Sequence, residues 1–196
     1  SAATIGSPVD LPSGITSIRA MAYDGTRWWV FGGAGESAYS SDLSTFTFVA
    51  TPWDYVIFDA KFVSGKIYVC GPNGKVAYTT PTNALSGAWT IETIDSLYEN
   101  FSIESDGTSP VVCSCDSAWI KVGSAAWRRV FQRENPSIDF SNYAQIVRGA
   151  VSGVWVVATG ASDGSWRNLW TTTDDLATTT PRWNPHTSNI PSQAAA

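Results

Sequence analysis

The residues that could take part in chemistry are few and lie far apart along the chain. The 196 residues include one histidine, three cysteines, 17 acidic residues and 12 basic residues. A serine or cysteine nucleophile activated by histidine would depend on His186, which lies in the proline-rich stretch "NPHTSNIP" and is expected at the surface. One histidine and three dispersed cysteines are too few for a metal centre. We therefore expect no catalytic residue, no metal site and no cofactor.

Two further patterns also fall short of a catalytic or phosphate-binding site. The cluster "GGAG" at residues 32–35 lacks the lysine and the following helix of a phosphate-binding loop. Asp174 and Asp175 form an adjacent acidic pair, but neighbouring side chains on a strand point to opposite faces. A solvated turn explains this pair better than a pair of catalytic carboxylates.

The cysteines are Cys70, Cys113 and Cys115. Their odd number argues against a disulfide framework, and two cysteines separated by one residue in a strand-like run have poor geometry for a bridge. We expect all three to be small buried hydrophobic residues of a protein made in a reducing cytoplasm.

Aromatic residues are the strongest chemical signal for binding. The chain has ten Trp, seven Tyr and eight Phe, and such side chains can stack on a sugar ring or anchor a protein interface. Two of the tryptophans lie in loop-like contexts, in "ATPWDYVIF" and "ASDGSWRNLW", where packing explains an aromatic less readily. We predict that these tryptophans and their polar neighbours bind a saccharide or a protein partner: Trp53, Asp54, Tyr55, Asp163, Trp166, Arg167 and Asn168.

Charge and hydropathy exclude two classes of partner. The formal net charge is -5, and Arg128 and Arg129 are the only adjacent basic pair. Nucleic acids and anionic membranes both need a concentrated basic surface. No apolar run approaches the roughly 20 residues that span a bilayer, and no signal peptide is visible. We expect neither nucleic-acid binding nor membrane insertion.

A repeated pattern indicates the elements that must position these residues. Turn glycines at 25, 65, 107 and 153 are 40, 42 and 46 residues apart, and an apolar run follows each. A third segment then carries an aromatic residue, namely Tyr39, Tyr78, Trp119 or Trp170. A fourth segment carries another, namely Phe46, Trp89, Trp127 or Trp183. The repeat therefore predicts four units of four short strands.

Four-stranded units at this period are typical of a β-propeller. One such sheet cannot bury both of its faces, whereas blades in a ring bury one another. We predict an all-β fold, a single small β-propeller domain over residues 1–196 with four blades of four antiparallel strands, and the alternative is a β-sandwich. The blades cover roughly 15–53, 54–96, 97–140 and 141–184, and the ends 1–14 and 185–196 are flexible or close the ring.

The adjacent tryptophans in "DGTRWWVFGG" test this interpretation. Trp28 and Trp29 must point to opposite faces of a strand. Counting from the turn glycines aligns Trp28 with Tyr68 and Trp29 with Val69. Because a neighbouring blade covers each face, we expect both tryptophans to be structural.

The third segments resemble the Asp-box, or BNR, repeat of sialidase-like propellers, whose form is Ser/Thr-X-Asp-X-Gly-X-X-Trp. "SSDLS" at 40–44 and "TTD" at 172–174 match its first half, and Trp89 and Trp183 are similar to its closing aromatic. In that family the Asp-box is a structural turn on the outer rim. The resemblance therefore implies a fold and not a catalytic role.

The chain departs from that family at several positions. Ser44 stands in place of the Asp-box glycine, Pro81 interrupts the second copy, and no hydroxyl–Asp pair follows Trp119. Arg19 and Arg148 lie on predicted first strands, but a sialidase also needs a full arginine cluster and a Tyr/Glu nucleophile pair, and the Phe-Arg-Ile-Pro motif is absent. We expect no enzyme activity.

The short blades of the "YDGTRWWVFGG...YSSD" kind are similar to propeller modules of bacteriophage tail and other virion proteins. This resemblance implies a non-catalytic protein of the virion, attached to a tail or a capsid and made in the host cytoplasm. Its expected partners are a host-surface glycan, a neighbouring virion protein or further copies of itself. The alternative is a glycan-active hydrolase built on a reduced sialidase-like propeller.

Overall fold

The computed structural model describes residues 14–94, 99–132, 143–160, 167–178 and 180–186. Within these ranges the chain forms four sheets of four strands. The first sheet consists of β1 (Ile18–Tyr23), β2 (Trp28–Gly32), β3 (Ser37–Ser40) and β4 (Thr47–Phe48). The second consists of β5 (Asp59–Val63), β6 (Lys66–Cys70), β7 (Lys75–Thr79) and β8 (Thr90–Thr93), with the helix α1 (Pro81–Ala84) between β7 and β8.

The other two sheets repeat this plan. The third consists of β9 (Asn100–Ser105), β10 (Pro110–Ser114), β11 (Ser117–Ile120) and β12 (Arg128–Gln132). The fourth consists of β13 (Tyr143–Arg148), β14 (Trp155–Gly160), β15 (Arg167–Thr172) and β16 (Asn184–His186). Each sheet is an antiparallel meander in chain order, and we number the sheets as blades 1 to 4. The prediction of four blades of four antiparallel strands is confirmed.

The second strands of blades 2 and 3 are apolar, and neighbouring blades cover both of their faces. In β6 four consecutive residues, Ile67 to Cys70, are buried, and in β10 all five residues are buried. Continuous apolar runs of this kind are typical of strands that are covered on both sides. The outer strands β4 and β8 are mostly exposed. Apolar packing is therefore concentrated toward the inner strands.

Three apolar clusters join consecutive blades. Trp29 and Phe31 of blade 1 pack with Ile67 and Val69 of blade 2. The opposite face of blade 2 packs on blade 3 in a cluster that includes Tyr68, Cys70, Ile103 and Val112. The remaining face of blade 3 packs on blade 4 in a cluster that includes Val111, Cys113, Ala144, Ile146, Trp155 and Val157. We call the face of a blade that looks toward the next blade its forward face, and the other its backward face.

The two adjacent tryptophans lie on different faces of blade 1. Trp29 is fully buried on the forward face, and its indole Nε1 donates to Asp24 Oδ2 at 2.8 Å. Trp28 is half-buried on the backward face, where its ring lies 4.7 Å from that of Tyr23. The alignment of Trp28 with Tyr68 is wrong. Tyr68 lies on a forward face, as Trp29 does, because the turn before β2 is longer than the turn before β6.

The aromatic residues of the third strands also divide between the two faces. Tyr39 pairs with Trp29, and Tyr78 pairs with Tyr68 on the forward face of blade 2. By contrast, Trp119 pairs with Val112 on a backward face. The positions recur in the sequence, but the turns between the second and third strands differ in length, and a shift of one residue moves a side chain to the other face.

In blades 2, 3 and 4 the tryptophan just before the fourth strand donates a hydrogen bond to the preceding blade. Trp89 Nε1 donates to the carbonyl oxygen of Ala50 at 3.2 Å, and Trp183 Nε1 donates to the carbonyl oxygen of Val130 at 2.8 Å. Trp127 of blade 3 donates at 2.6 Å to Glu92 of blade 2. We call these three bonds the tryptophan latches. These recurring aromatics therefore join consecutive blades.

We expect Trp183→Phe to lower the free energy of unfolding by about 1 kcal/mol. The phenyl ring retains packing against Phe131, 5.1 Å from the indole, and only the hydrogen bond to Val130 is lost. For a chain of this length the melting temperature should fall by about 2–4 °C. Thermal unfolding followed by circular dichroism measures the change, and Trp183→Ala, which also removes the ring, should cost more. Equal costs for the two variants would contradict the role of the bond.

The two segments that resemble an Asp-box form turns in which a carboxylate accepts from backbone amides, but different residues supply the carboxylate. In blade 1, Asp42 Oδ1 accepts from the backbone amides of Ser44 and Thr45 at 2.8 and 3.0 Å, and these bonds hold the pKa of Asp42 well below its usual range. In blade 4 the aligned residue Asp174 accepts from the amide of Arg182, and it is the neighbouring Asp175 that accepts from the amide two residues on, that of Ala177. In blade 2, α1 begins at Pro81 and replaces the turn.

The cysteines are buried and free, as predicted. Burial raises the pKa of Cys115 to about 11 and raises those of Cys70 and Cys113 well above the ordinary value of a thiol. These thiols therefore stay protonated near neutral pH and serve as packing residues.

Candidate functional site

The segment that connects blade 1 to blade 2 carries three of the predicted binding residues. Trp53 is only 7% exposed and belongs to the cluster between blades 1 and 2. Asp54 and Tyr55 are exposed. Packing therefore accounts for Trp53, contrary to the expectation from its loop-like sequence context, whereas its two neighbours face solvent.

Two glycines fix this connection in place. A Cβ atom on Gly35, whose φ is +73°, would lie 2.6 Å from Asp54 Cα. A Cβ atom on Gly71 would lie 2.9 Å from Trp53 Cζ2 and from the carbonyl oxygen of Val56. Real Cβ atoms do not tolerate a contact below 3.0 Å. Only glycine at positions 35 and 71 therefore allows the β2–β3 turn of blade 1 and the β6–β7 turn of blade 2 to lie so close to the connection. The connection therefore lies between these two turns, and the buried ring of Trp53 anchors it in the cluster between blades 1 and 2.

Tyr55 presents the most accessible aromatic ring of this connection. The residue is 48% exposed, and Lys75 Nζ lies 5.1 Å from the ring centroid. A cation at this distance interacts favourably with an aromatic face. We call Asp54, Tyr55 and Lys75 the Tyr55 surface. It offers an aromatic ring, a carboxylate that can accept from hydroxyl groups and an ammonium that can donate, which are the groups that recognise sugars and polar peptides.

The other predicted binding residues belong to blade 4. Asp163 and Trp166 lie outside the described residues. Arg167 and Asn168 begin β15, where their backbones pair with Gly160 and Thr159. This is the end of the blade at which the second strand leads into the third, and Gly35 lies at the same end of blade 1. The described members of the two predicted groups thus belong to the same end of the fold but to separate blades.

Sequence reasoning missed a polar cluster between blades 2 and 3. Glu92 accepts from Tyr78 Oη, from Trp127 Nε1 and, through both carboxylate oxygens, from Lys121 Nζ at 3.0 Å. Burial acts to raise the pKa of Glu92, but the hydrogen bonds from these three partners outweigh it and the pKa is lowered. The aromatic Trp127 was visible as a repeat residue, whereas no local pattern connects it with a carboxylate 35 positions away.

Asp59 is a second half-buried carboxylate at the junction of blades 2 and 3. It accepts from the backbone amides of Ile103 and Ala60, each at 2.8 Å. Desolvation nevertheless raises its pKa. Beside it, Lys61 Nζ lies 2.7 Å from Glu104 Oε1. These contacts join β5 to β9 and give Asp59 a positioning role in the sheet packing.

Other chemically active groups are engaged in the fold or exposed on it. His186 is exposed, as predicted, and its Nε2 lies 2.8 Å from Thr171 Oγ1. Within the described part of the chain no group of three or more His, Cys, Asp or Glu residues could hold a metal ion. The same part contains no helix that is long and apolar enough to cross a membrane.

Solved structures that resemble this chain are propeller proteins. Ycf48 bound to a D1 peptide matches with a TM-score of 0.66 and 17% identity over 92% of this chain and 57% of Ycf48. The extracellular domain of the hybrid two-component system BT4673 of B. thetaiotaomicron matches at 0.61 and 17%, over 93% of this chain and 24% of that domain. The β-propeller domain of Cps50 (Swd1) from Myceliophthora thermophila matches at 0.57 and 8%, over 86% and 57%.

These likenesses establish the fold alone. The chain spans between 24% and 57% of the length of these three solved chains. No family model matches the sequence, and no curated protein matches it. The protein has the architecture of a small β-propeller, with four antiparallel four-stranded sheets packed as blades.

Proposed function

We propose that this protein is a non-catalytic binding module carried on a virion, and that its Tyr55 surface contacts a host-surface glycan. The observation that carries the proposal is the exposed Tyr55 ring on a connection clamped by Gly35 and Gly71. Because the residues on both sides of Tyr55 pack closely against these two turns, little of the backbone has to be ordered when a ligand stacks on the ring. The virion context is drawn from the sequence resemblance.

The chemistry of the described carboxylates supports binding rather than catalysis. Asp24, Asp42 and Asp106 hold turns, since each accepts from backbone amides of the following residues. Glu92 holds two blades together. Such groups are committed to the fold, whereas Asp54 lies exposed beside Tyr55.

We expect Tyr55→Ala to weaken glycan binding by about tenfold or more, since an aromatic anchor contributes at least about 1.4 kcal/mol in such sites. The measurement is a glycan array with the full chain, followed by titration of the best hit. Tyr55→Phe, which keeps the ring, should retain most of the affinity. Phe48→Ala removes an aromatic of similar exposure, 45%, from another part of blade 1 and should leave binding unchanged.

The outcomes of this experiment separate the candidate functions. Unchanged binding in Tyr55→Ala would move the site elsewhere, and no glycan hit with the wild-type chain would overturn the glycan proposal. Turnover of fluorogenic glycosides that persists in clean preparations would replace the binding module by the alternative of a glycan-active hydrolase.

A neighbouring virion protein is the second candidate ligand. Ycf48 is a structure of similar fold with a peptide bound to it, and the Tyr55 surface combines an aromatic ring with both charges, which suits a polar peptide. Pull-down with tail and capsid proteins of the same particle tests this candidate. Loss of the captured protein in Tyr55→Ala would support it.

A further inference from the structure

In the part of the chain that the structure describes, the four blades form an arc that does not close on itself. The first strands pack in sequence, β1 on β5, β5 on β9 and β9 on β13. Among the described residues no packing of comparable extent joins β13 to β1. Three junctions between blades are therefore built, and the backward face of blade 1 and the forward face of blade 4 remain without a neighbouring blade.

The uncovered face of blade 1 is apolar and bulky. Met21 and Tyr23 of β1 are 42% and 47% exposed, and Trp28, which pairs with Tyr23, is half-buried. Farther out on the same face, blade 1 covers Val30 with its own Ile15 and Phe46. The part left open is the inner part, where β1 would meet the first strand of another blade.

The uncovered face of blade 4 is apolar and composed of smaller side chains. Val147 of β13 is 44% exposed. Val156 and Ala158 of β14 and Leu169 of β15 are half-buried, although the opposite face of the same strands is buried against blade 3. Ala158 and Leu169 are cross-strand partners, so these side chains form one continuous surface.

The two uncovered faces match the pattern of the junctions already built. At the junction of blades 3 and 4, the large ring of Trp155 on the backward face of blade 4 packs in one cluster with small residues of the forward face of blade 3, such as Cys113 and Ala118. The open faces offer the same combination, with Trp28 and Tyr23 on one side and valine and alanine on the other. The named residues of both faces are uncharged, and Gln145, the cross-strand partner of Ala158, adds an exposed amide to the face of blade 4.

We propose that two copies of this chain associate head to tail, each placing the forward face of its blade 4 on the backward face of blade 1 of the other. Propellers typically contain four to eight blades. One copy leaves the arc open and three copies would give twelve blades, so two copies of four blades close a ring within that range. The two junctions are then equivalent under a twofold axis, and the ring has eight blades. This inference does not depend on the Tyr55 surface.

The test is the mass of the full chain in solution, measured by light scattering and by analytical ultracentrifugation over a range of concentrations. The expected result is twice the chain mass, falling toward the monomer on dilution. Val147→Glu and Met21→Glu each place a charge on one of the two faces at an exposed position, and each should give a monomer at concentrations where the wild type is dimeric. Val122→Glu, at a 41% exposed position outside both faces, should stay dimeric.

A mixture of the two variants distinguishes this arrangement from other dimers. Val147→Glu and Met21→Glu together can form one intact junction, so the mixture should regain part of the dimer mass. Circular dichroism of each variant should match the wild type. A monomeric wild type, a mass above that of two chains, or dissociation by only one of the two substitutions would overturn the proposal.

Discussion

Trp29→Ala is expected to lower the free energy of unfolding by about 3–5 kcal/mol, the range for removal of a fully buried large aromatic. Trp29 is fully buried between blades 1 and 2 and packs with Tyr39, whose ring lies 5.4 Å away. Its loss also leaves Asp24 Oδ2 without the indole donor. The melting temperature should fall by about 10 °C. Denaturant and thermal unfolding of the full chain measure both quantities.

The neighbouring residue supplies a matched control. Trp28→Ala removes the same side chain from the uncovered backward face, where it is only half-buried, and should cost about 1 kcal/mol at concentrations where the chain is monomeric. Trp29→Phe keeps most of the ring and should fall between the two alanine variants. Equal costs at Trp28 and Trp29 would contradict the assignment of the two faces.

Glu92→Ala is expected to lower the free energy of unfolding by about 2–3 kcal/mol. The Lys121 side chain is 7% exposed, and without Glu92 its ammonium remains nearly buried and without its carboxylate. The cost stays below that of a fully buried pair because Glu92 itself is 29% exposed. The double variant Glu92→Ala/Lys121→Met, which also removes the charge of the lysine, should recover part of the loss in a denaturant titration.

A second ion pair between the same two blades serves as the comparison. Lys61 and Glu104 are 2.7 Å apart, but Lys61 is 41% exposed. Glu104→Ala should therefore cost no more than about 1 kcal/mol. A loss as large as that of Glu92→Ala would show that burial of the lysine is not the cause.

The contribution of Glu92 to the free energy of unfolding should depend on pH. Because the pKa of Glu92 in the folded protein is below its ordinary value of 4.5, its contribution is complete above pH 4.5 and is lost as the pH falls through the folded value. The difference in stability between the wild type and Glu92→Gln should be constant near neutral pH and should narrow below pH 4.5. A difference that widens in acid would contradict the lowered pKa.

The repeat made the blades predictable from the sequence. Turn glycines such as Gly65, at a φ of +80°, mark hairpins, and the apolar run after each marks the second strand of a blade. These are local signals, so the four units and their strand order follow without knowledge of distant contacts.

The faces and the binding surface depend on contacts that no local pattern contains. Trp28 and Tyr68 are equally spaced from their glycines but lie on opposite kinds of face, since the lengths of the hairpin turns differ. Trp53 has a loop-like sequence context, but Gly71 of the next blade lets its ring pack inside. Glu92 and Lys121 meet only because blades 2 and 3 are neighbours. The exposure of Tyr55 follows from the same distant contacts.

The tryptophan latches all run in one direction, from a later blade to an earlier one. During synthesis from the amino terminus, the acceptor of each latch is therefore made before its donor. A completed blade 1 offers the carbonyl of Ala50 when Trp89 emerges, and blade 3 offers that of Val130 when Trp183 emerges. The chain can thus add its blades one at a time as it leaves the ribosome, each docking on a finished template.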